Sequence, residues 1–225
     1  MINDEVAGLK ASAKDLRRSG DWDLAIADLE DALAILMDLA PDEPSDATQS
    51  VAAEIADTYG MIGGVERRWA LGSTEPERSR HLRASLDAYE KGFDYEEQFG
   101  AEWATTYNRI NRIVAQALVD PDSLNHANPA MTAALRATEE IVIGQLDASR
   151  MKDSWAYCDL LMIRLLLGDS SAISTIALIV NLRPPAFVYD STLQTLEPLA
   201  AAVSNQRPEF VEAVHLLRRA MRQAG

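Results

Sequence analysis

Apolar side chains in this chain recur in alternating steps of three and four over most of its length, which places them on one face of an α-helix. The first run is Val6, Leu9, Ala13 and Leu16, and the second is Trp22, Ile26, Leu29, Leu33 and Leu36. A third carries Val51, Ile55, Tyr59 and Ile62, and a fourth Leu82, Leu86, Tyr89 and Phe93. A fifth holds Trp103, Tyr107, Ile110 and Val114, and a sixth Met131, Leu135, Thr138 and Val142. Residues 154–167 are apolar nearly all round, so this seventh helix should be central; an eighth spans about 172–182. The last two show Leu193, Leu196 and Val203, then Phe210, Val214, Leu217 and Met221. No segment alternates with the period of two that a half-buried strand needs. The spacing predicts an all-α fold of about ten antiparallel helices in about five hairpins.

The breaks between runs have local causes. In Ser19-Gly20-Asp21 the glycine can take positive φ and the aspartate can cap the next helix. Residues 40–46, with Pro41 and Pro44, read as a loop. Gly63-Gly64 weakens or ends the third helix, residues 66–71 can continue helical, and residues 72–76 break the chain again. Asp120-Pro121 stops the fifth helix because proline cannot continue the hydrogen-bond ladder. Residues 125–129 form a loop, and Pro184-Pro185 is a hard break.

Residues 13–33 resemble a tetratricopeptide unit from the end of its first helix through its second. The matching positions are small Ala13, turn Gly20, aromatic Trp22, small Ala25, large Leu29 and small Ala32. Small residues let the two helices of a hairpin approach, and large ones fill the space between hairpins. The reading is one domain over 1–225, with a first repeat at about 4–40. A second repeat at about 48–99 carries an insertion at 64–78, and divergent hairpins follow at 102–148, 153–183 and 188–224.

A narrower resemblance lies in Tyr89-Glu90-Lys91-Gly92-Phe93 and Tyr107-Asn108-Arg109-Ile110-Asn111-Arg112. These segments are similar to the divergent tetratricopeptide sensor domains of bacterial conflict systems, which are related to the TRAFs-binding region of apoptosis signal-regulating kinases. Asp153-Ser154-Trp155-Ala156-Tyr157-Cys158-Asp159 and residues 191–199 resemble the carboxy-terminal half of that family. The resemblance implies an interaction or ligand-sensing module, with a separately encoded effector as partner and nucleotide-derived signals as ligands.

Charge narrows the partners. The net charge is −14, and residues 1–60 hold 14 acidic and 4 basic side chains. That surface would repel a phosphate backbone, so nucleic acid is not an expected partner. Cys158 is the only cysteine, which excludes an intrachain disulfide and a cysteine zinc cluster. It lies in an apolar stretch and reads as a buried small hydrophobe. The start of the chain lacks a secretory apolar run, and no segment is long enough for a bilayer, so a cytoplasmic protein is expected.

Three groups of residues could bind a ligand. On the fifth helix Asn108, Asn111 and Arg112 share an arc beside Tyr107. They either offer amides, a guanidinium and a stacking ring to a phosphate or ring edge, or bond neighbouring helices and an acid. Trp155 and Asp159 share a face of the seventh helix. Asp159 either pairs with Arg112 or Arg164, or joins Trp155 and Arg112 in a groove. Arg67 and Arg68, followed by Arg78, Arg80, His81 and Arg83, either face an anion or form a solvated face answering Glu66, Glu75 and Glu77. Glu139-Glu140 and Glu96-Glu97 read as helix surface.

His81, His126 and His215 are far apart, with no metal-binding spacing. There is no glycine-rich phosphate loop and no nucleophile elbow. The expected function is therefore a non-catalytic binding module without cofactor or metal, taking a partner protein, peptide or small anionic signal in a concave groove. The competing readings are a self-associating scaffold without a groove ligand and an enzyme with a hidden site.

Overall fold

The computed structural model describes residues 4–39, 46–99, 106–124, 128–203 and 207–224. Trp103, Pro41, Pro44 and residues 125–127, including His126, lie outside the described residues. Every regular element among the described residues is helical. They are α1 (Asp4–Ser19), α2 (Trp22–Leu39), α3 (Asp46–Gly72), α4 (Glu77–Phe99) and α5 (Tyr107–Val119), then a short 3-10 turn (Pro121–Leu124). After it come α6 (Pro129–Asp147), α7 (Ser154–Leu167), α8 (Ala172–Leu182), α9 (Ala186–Val203) and α10 (Pro208–Ala224). The described helices group into two compact units, Met1–Ala115 and Gln116–Gly225, with the boundary inside α5.

In the first unit α1 pairs with α2, α2 with α3, and α3 with α4. The turn between α1 and α2 takes the positive φ expected at its glycine. Gly20 sits at φ +89°, the Asp21 N–H donates to Leu16 O at 3.0 Å, and Ser19 Oγ donates to the Asp21 carboxylate at 2.6 Å. Ala13, Ala25 and Ala32 are buried where hairpin helices must approach. Leu36 and Ile55 pack with Val6, Ala32 and Leu33, joining α1, α2 and α3. Each fully buried side chain of this size stabilises the fold by roughly 1.5–3 kcal/mol.

A buried cation, Lys10, also ties α1 to α3. Its ammonium donates to Glu54 at 2.8 Å and to Asp57. Burial pulls its pKa down, but Asp57 and Glu54 outweigh that and hold it above the usual lysine value. Its position between Leu9 and Ala13 on the inward arc is the signal that sequence reasoning passed over.

The clearest difference from the sequence reading is α3. Gly63 and Gly64, taken as a weak point or an end, lie inside an uninterrupted 27-residue helix. Residues 64–78, taken as an insertion, are the last turns of α3, the break, and the start of α4. Tertiary packing overrides glycine's low helix propensity here, because other side chains need the space that these glycines leave.

In the second unit α7 is buried along most of its length and packs against α6, α8 and α9, as an all-round apolar helix must. Asp153 caps it by accepting from the Trp155 N–H at 2.9 Å, and Gly168 ends it in the left-handed conformation at φ 71°. Cys158 lies in this core, where burial pushes its thiol up to about 12. The helices α9 and α10 form the last hairpin. Among the described residues no helix is long and apolar enough to cross a membrane.

Candidate functional site

Glycines on α3 and α4 decide what enters the space between these helices. A Cβ on Gly60 would stand 2.7 Å from Asn108 Oδ1, one on Gly92 2.7 Å from Asn108 Cγ, and one on Gly63 2.9 Å from the Tyr89 ring. Asn108 is thus wedged between α3 and α4 and is 1% exposed. Its Nδ2 donates to Ala56 O at 2.9 Å and to Glu96 Oε1 at 2.9 Å. These bonds anchor the start of α5 to α3 and α4.

One turn later Asn111 does something different. Its Oδ1 accepts from Arg67 Nη1 at 2.6 Å, while its Nδ2 donates to Tyr107 O at 2.8 Å. Arg67 is 6% exposed, and its guanidinium carbon lies 5.9 Å from the centre of the Tyr89 ring. Buried charges are normally matched by an opposite charge. Among the described residues Arg67 has no carboxylate partner, only this neutral amide and the aromatic face.

Arg68, the next residue on α3, donates from Nη1 to Gly64 O at 3.2 Å. Burial lowers its pKa first, and the positive charges of Arg17 and Arg67 lower it further. Tyr89 is fully buried, and its Oη lies beside the Tyr107 hydroxyl without a hydrogen bond of normal geometry. Burial drives this phenol far above its usual pKa, against the pull of Arg67, so it remains an O–H donor. Polar atoms converge over Gly64: a Cβ placed there would meet Arg68 Nη1 and Tyr107 Oη at 3.5 Å and Tyr89 Oη at 3.6 Å. Tyr107 is 39% exposed and puts a ring at the rim. The cluster is rich in donors and positive charge, so an acceptor-bearing anion would complement it.

The family described as Tetratricopeptide Repeats-Sensor matches residues 3–118, just over half of the chain. The chain belongs to this family. No curated protein matches it. The sensor-family match covers every residue of the cluster and ends within α5, close to the edge of the first unit. The resemblance read from residues 153–159 and 191–199 lies beyond it.

The remaining basic residues near the sensor cluster are absorbed locally. His81 stacks on Trp69 with ring centres 3.9 Å apart, and its Nδ1 lies 2.5 Å from Glu66 Oε2. Arg80 donates to Glu77 at 2.8 Å, and Arg78 and Arg83 are exposed. Arg112 does not join Asn111: its guanidinium carbon lies 4.2 Å from the centre of the Phe93 ring, beside Arg109. The structure therefore brings Arg67, Arg68, Tyr107 and Asn111 together, uses Asn108 as an anchor, and sends Arg112 to another aromatic face. Tyr89 was read as an apolar position of the fourth helix, and the unused hydroxyl it carries is visible only in three dimensions.

Trp155 and Asp159 belong to the second unit. Trp155 is 40% exposed, with its ring centre 6.2 Å from that of Phe187. Asp159 is partly exposed, and its neighbour is Arg150, with Nη2 4.0 Å from Oδ2. Arg164, one of the two partners expected for Asp159, is taken up elsewhere. Arg164 donates instead to Glu139 Oε1 at 3.0 Å and to Thr175 Oγ1 at 2.9 Å. Glu139, read as helix surface, is the buried carboxylate of this unit. It lies on the same helical face as Leu135 and Val142, and that spacing was the available signal. Among the described residues no group of His, Cys, Asp and Glu side chains forms a metal-ligand cluster.

Proposed function

We propose that this chain is a non-catalytic regulatory sensor whose first unit binds a small anionic, nucleotide-derived signal at Arg67, Arg68, Tyr107 and Asn111. A separately encoded effector protein reads the bound state. Membership of the sensor family supports a binding module in general. The observation that carries the anionic ligand is the buried Arg67 guanidinium, held by a neutral amide beside a buried phenol without a hydrogen bond of normal geometry. Tyr107 adds an accessible ring on which a base can stack.

The test is a nucleotide panel read by thermal unfolding and calorimetry. A ligand at a hundred times its Kd adds about 2.7 kcal/mol of stability, and Arg67→Gln should abolish the shift. A panel in which no member raises the midpoint or releases heat rejects the reading.

A second reading, a self-associating scaffold, draws on the exposed side chains of Trp155, Phe187 and Met151 in the second unit. Sedimentation over a wide concentration range tests it, and a constant monomer mass removes it.

A further inference from the structure

We propose that the anion cluster is a phosphate site with a third arginine, Arg17, and that it selects a phosphomonoester end over a carboxylate. The inference rests on the small-ligand reading above and names the chemistry of that ligand. Its starting point is how α1 packs on α3. Leu16 joins Ala13, Met61, Ile62 and Val65 in one apolar cluster. That contact brings the end of α1 alongside the turn of α3 that follows Val65, where Arg68 lies. Arg17 is next to Leu16, and its charge acts on Arg68. Arg17 and Arg67 have no carboxylate partner among the described residues.

The donors of the cluster come from four helices. Arg17 is on α1, Arg67 and Arg68 on α3, Tyr89 on α4 and Tyr107 on α5. A carboxylate has two oxygens in one plane and a single charge, and one guanidinium satisfies it edge-on. Donors arriving from several directions, with the charges of Arg17 and Arg67 not matched by a carboxylate among the described residues, suit a group with three terminal oxygens and a charge approaching −2. The buried Tyr89 O–H is the second, independent indication. Burying a hydroxyl without a well-formed hydrogen bond is unfavourable, and an oxygen entering over Gly64 would accept from it.

Isothermal titration with phenyl phosphate and benzoate, two probes that share a ring and differ in the anion, tests the inference on the full chain. Phenyl phosphate should bind at least about tenfold more tightly than benzoate. Arg17→Gln, at a partly exposed position where folding is not at stake, should weaken phenyl phosphate about tenfold and leave benzoate nearly unchanged. Tyr89→Phe should weaken phenyl phosphate several-fold, while the ligand-free unfolding midpoint stays level or rises because an unsatisfied buried hydroxyl has gone. Equal binding of the two probes, or an Arg17→Gln protein that binds phenyl phosphate like wild type, overturns the phosphate site. If neither probe binds but a nucleotide without a phosphomonoester does, the phosphate site falls and the small-ligand reading stands. If no nucleotide binds either, both fall.

Discussion

Arg67 in the first unit and Arg164 in the second are both drawn into helical packing, and their partners differ in kind. Arg164 meets the Glu139 carboxylate and the Thr175 hydroxyl, and the other Glu139 oxygen accepts from Arg136 at 2.7 Å. Positive and negative charge are closed within the fold, joining α6, α7 and α8. Arg67 meets only the Asn111 amide and the face of Tyr89. Burial alone therefore does not separate a structural cation from a binding one. The partner does: a cation with its own counter-ion has no need of a ligand, and one held by a neutral group leaves charge for an anion to match.

The sharpest way to break this comparison is at Glu139. Glu139→Ala leaves Arg164 without its counter-ion, and losing one member of a buried pair should cost about 3 kcal/mol in urea unfolding. A loss below about 1 kcal/mol would place Arg164 among ordinary solvent-satisfied cations and remove the contrast. Next in size is Gly92→Ala. Its Cβ would enter the slot occupied by Asn108 Cγ, 2.7 Å away, and overpacking of this kind costs about 2 kcal/mol. An alanine accepted without loss would show that Asn108 is not wedged there, and the anchoring of α5 would need another cause.

The two units also differ in how much of them the sequence discloses. Helix positions in both were legible, because three-four spacing survives any irregularity in the repeat. In the first unit the small residues of the hairpin, Ala13, Ala25 and Ala32, were legible as well, and all are buried. Gly63 and Gly64 misled, while Gly60 and Gly92 were read as helix positions, because glycine in a sequence signals either a break or a close approach. Only the ring of Tyr89 and the amide of Asn108, arriving from other helices, decide between the two. Partners of charged residues were the least legible. Asp159 was given Arg112 or Arg164, but the Arg164 guanidinium goes to Glu139 on α6, a long-range pairing that helical spacing does not encode. Arg67 and Arg68 are adjacent in sequence, yet on a helix they point about 100° apart. Their convergence with Tyr107 depends on how α5 docks.

A control of intermediate size lies at Gly20, in the turn after α1 and on neither of the helices that carry Arg67 and Arg164. Gly20→Val puts a β-branched residue at φ +89°, which should cost about 1–2 kcal/mol. The residual affinity of the folded fraction for phenyl phosphate should be unchanged. An affinity loss parallel to the stability loss would mean that binding tracks global stability and that no variant in the cluster can be read as local.

The smallest expected effect on stability, and the most informative, is Arg67→Met. Methionine follows a similar path and can lay its sulfur against the Tyr89 ring. The swap removes a buried charge that has no counter-ion and leaves one amide oxygen of Asn111 unmatched. These changes oppose each other, so the ligand-free unfolding free energy should move by no more than about 1 kcal/mol. Anion binding should be lost outright. The same swap at Arg164 strands Glu139 against Arg136 alone and should destabilise the protein clearly more, without touching binding. Equal stability losses at the two positions would make Arg67 as structural a cation as Arg164, and the amide that holds it would then need no ligand to explain it.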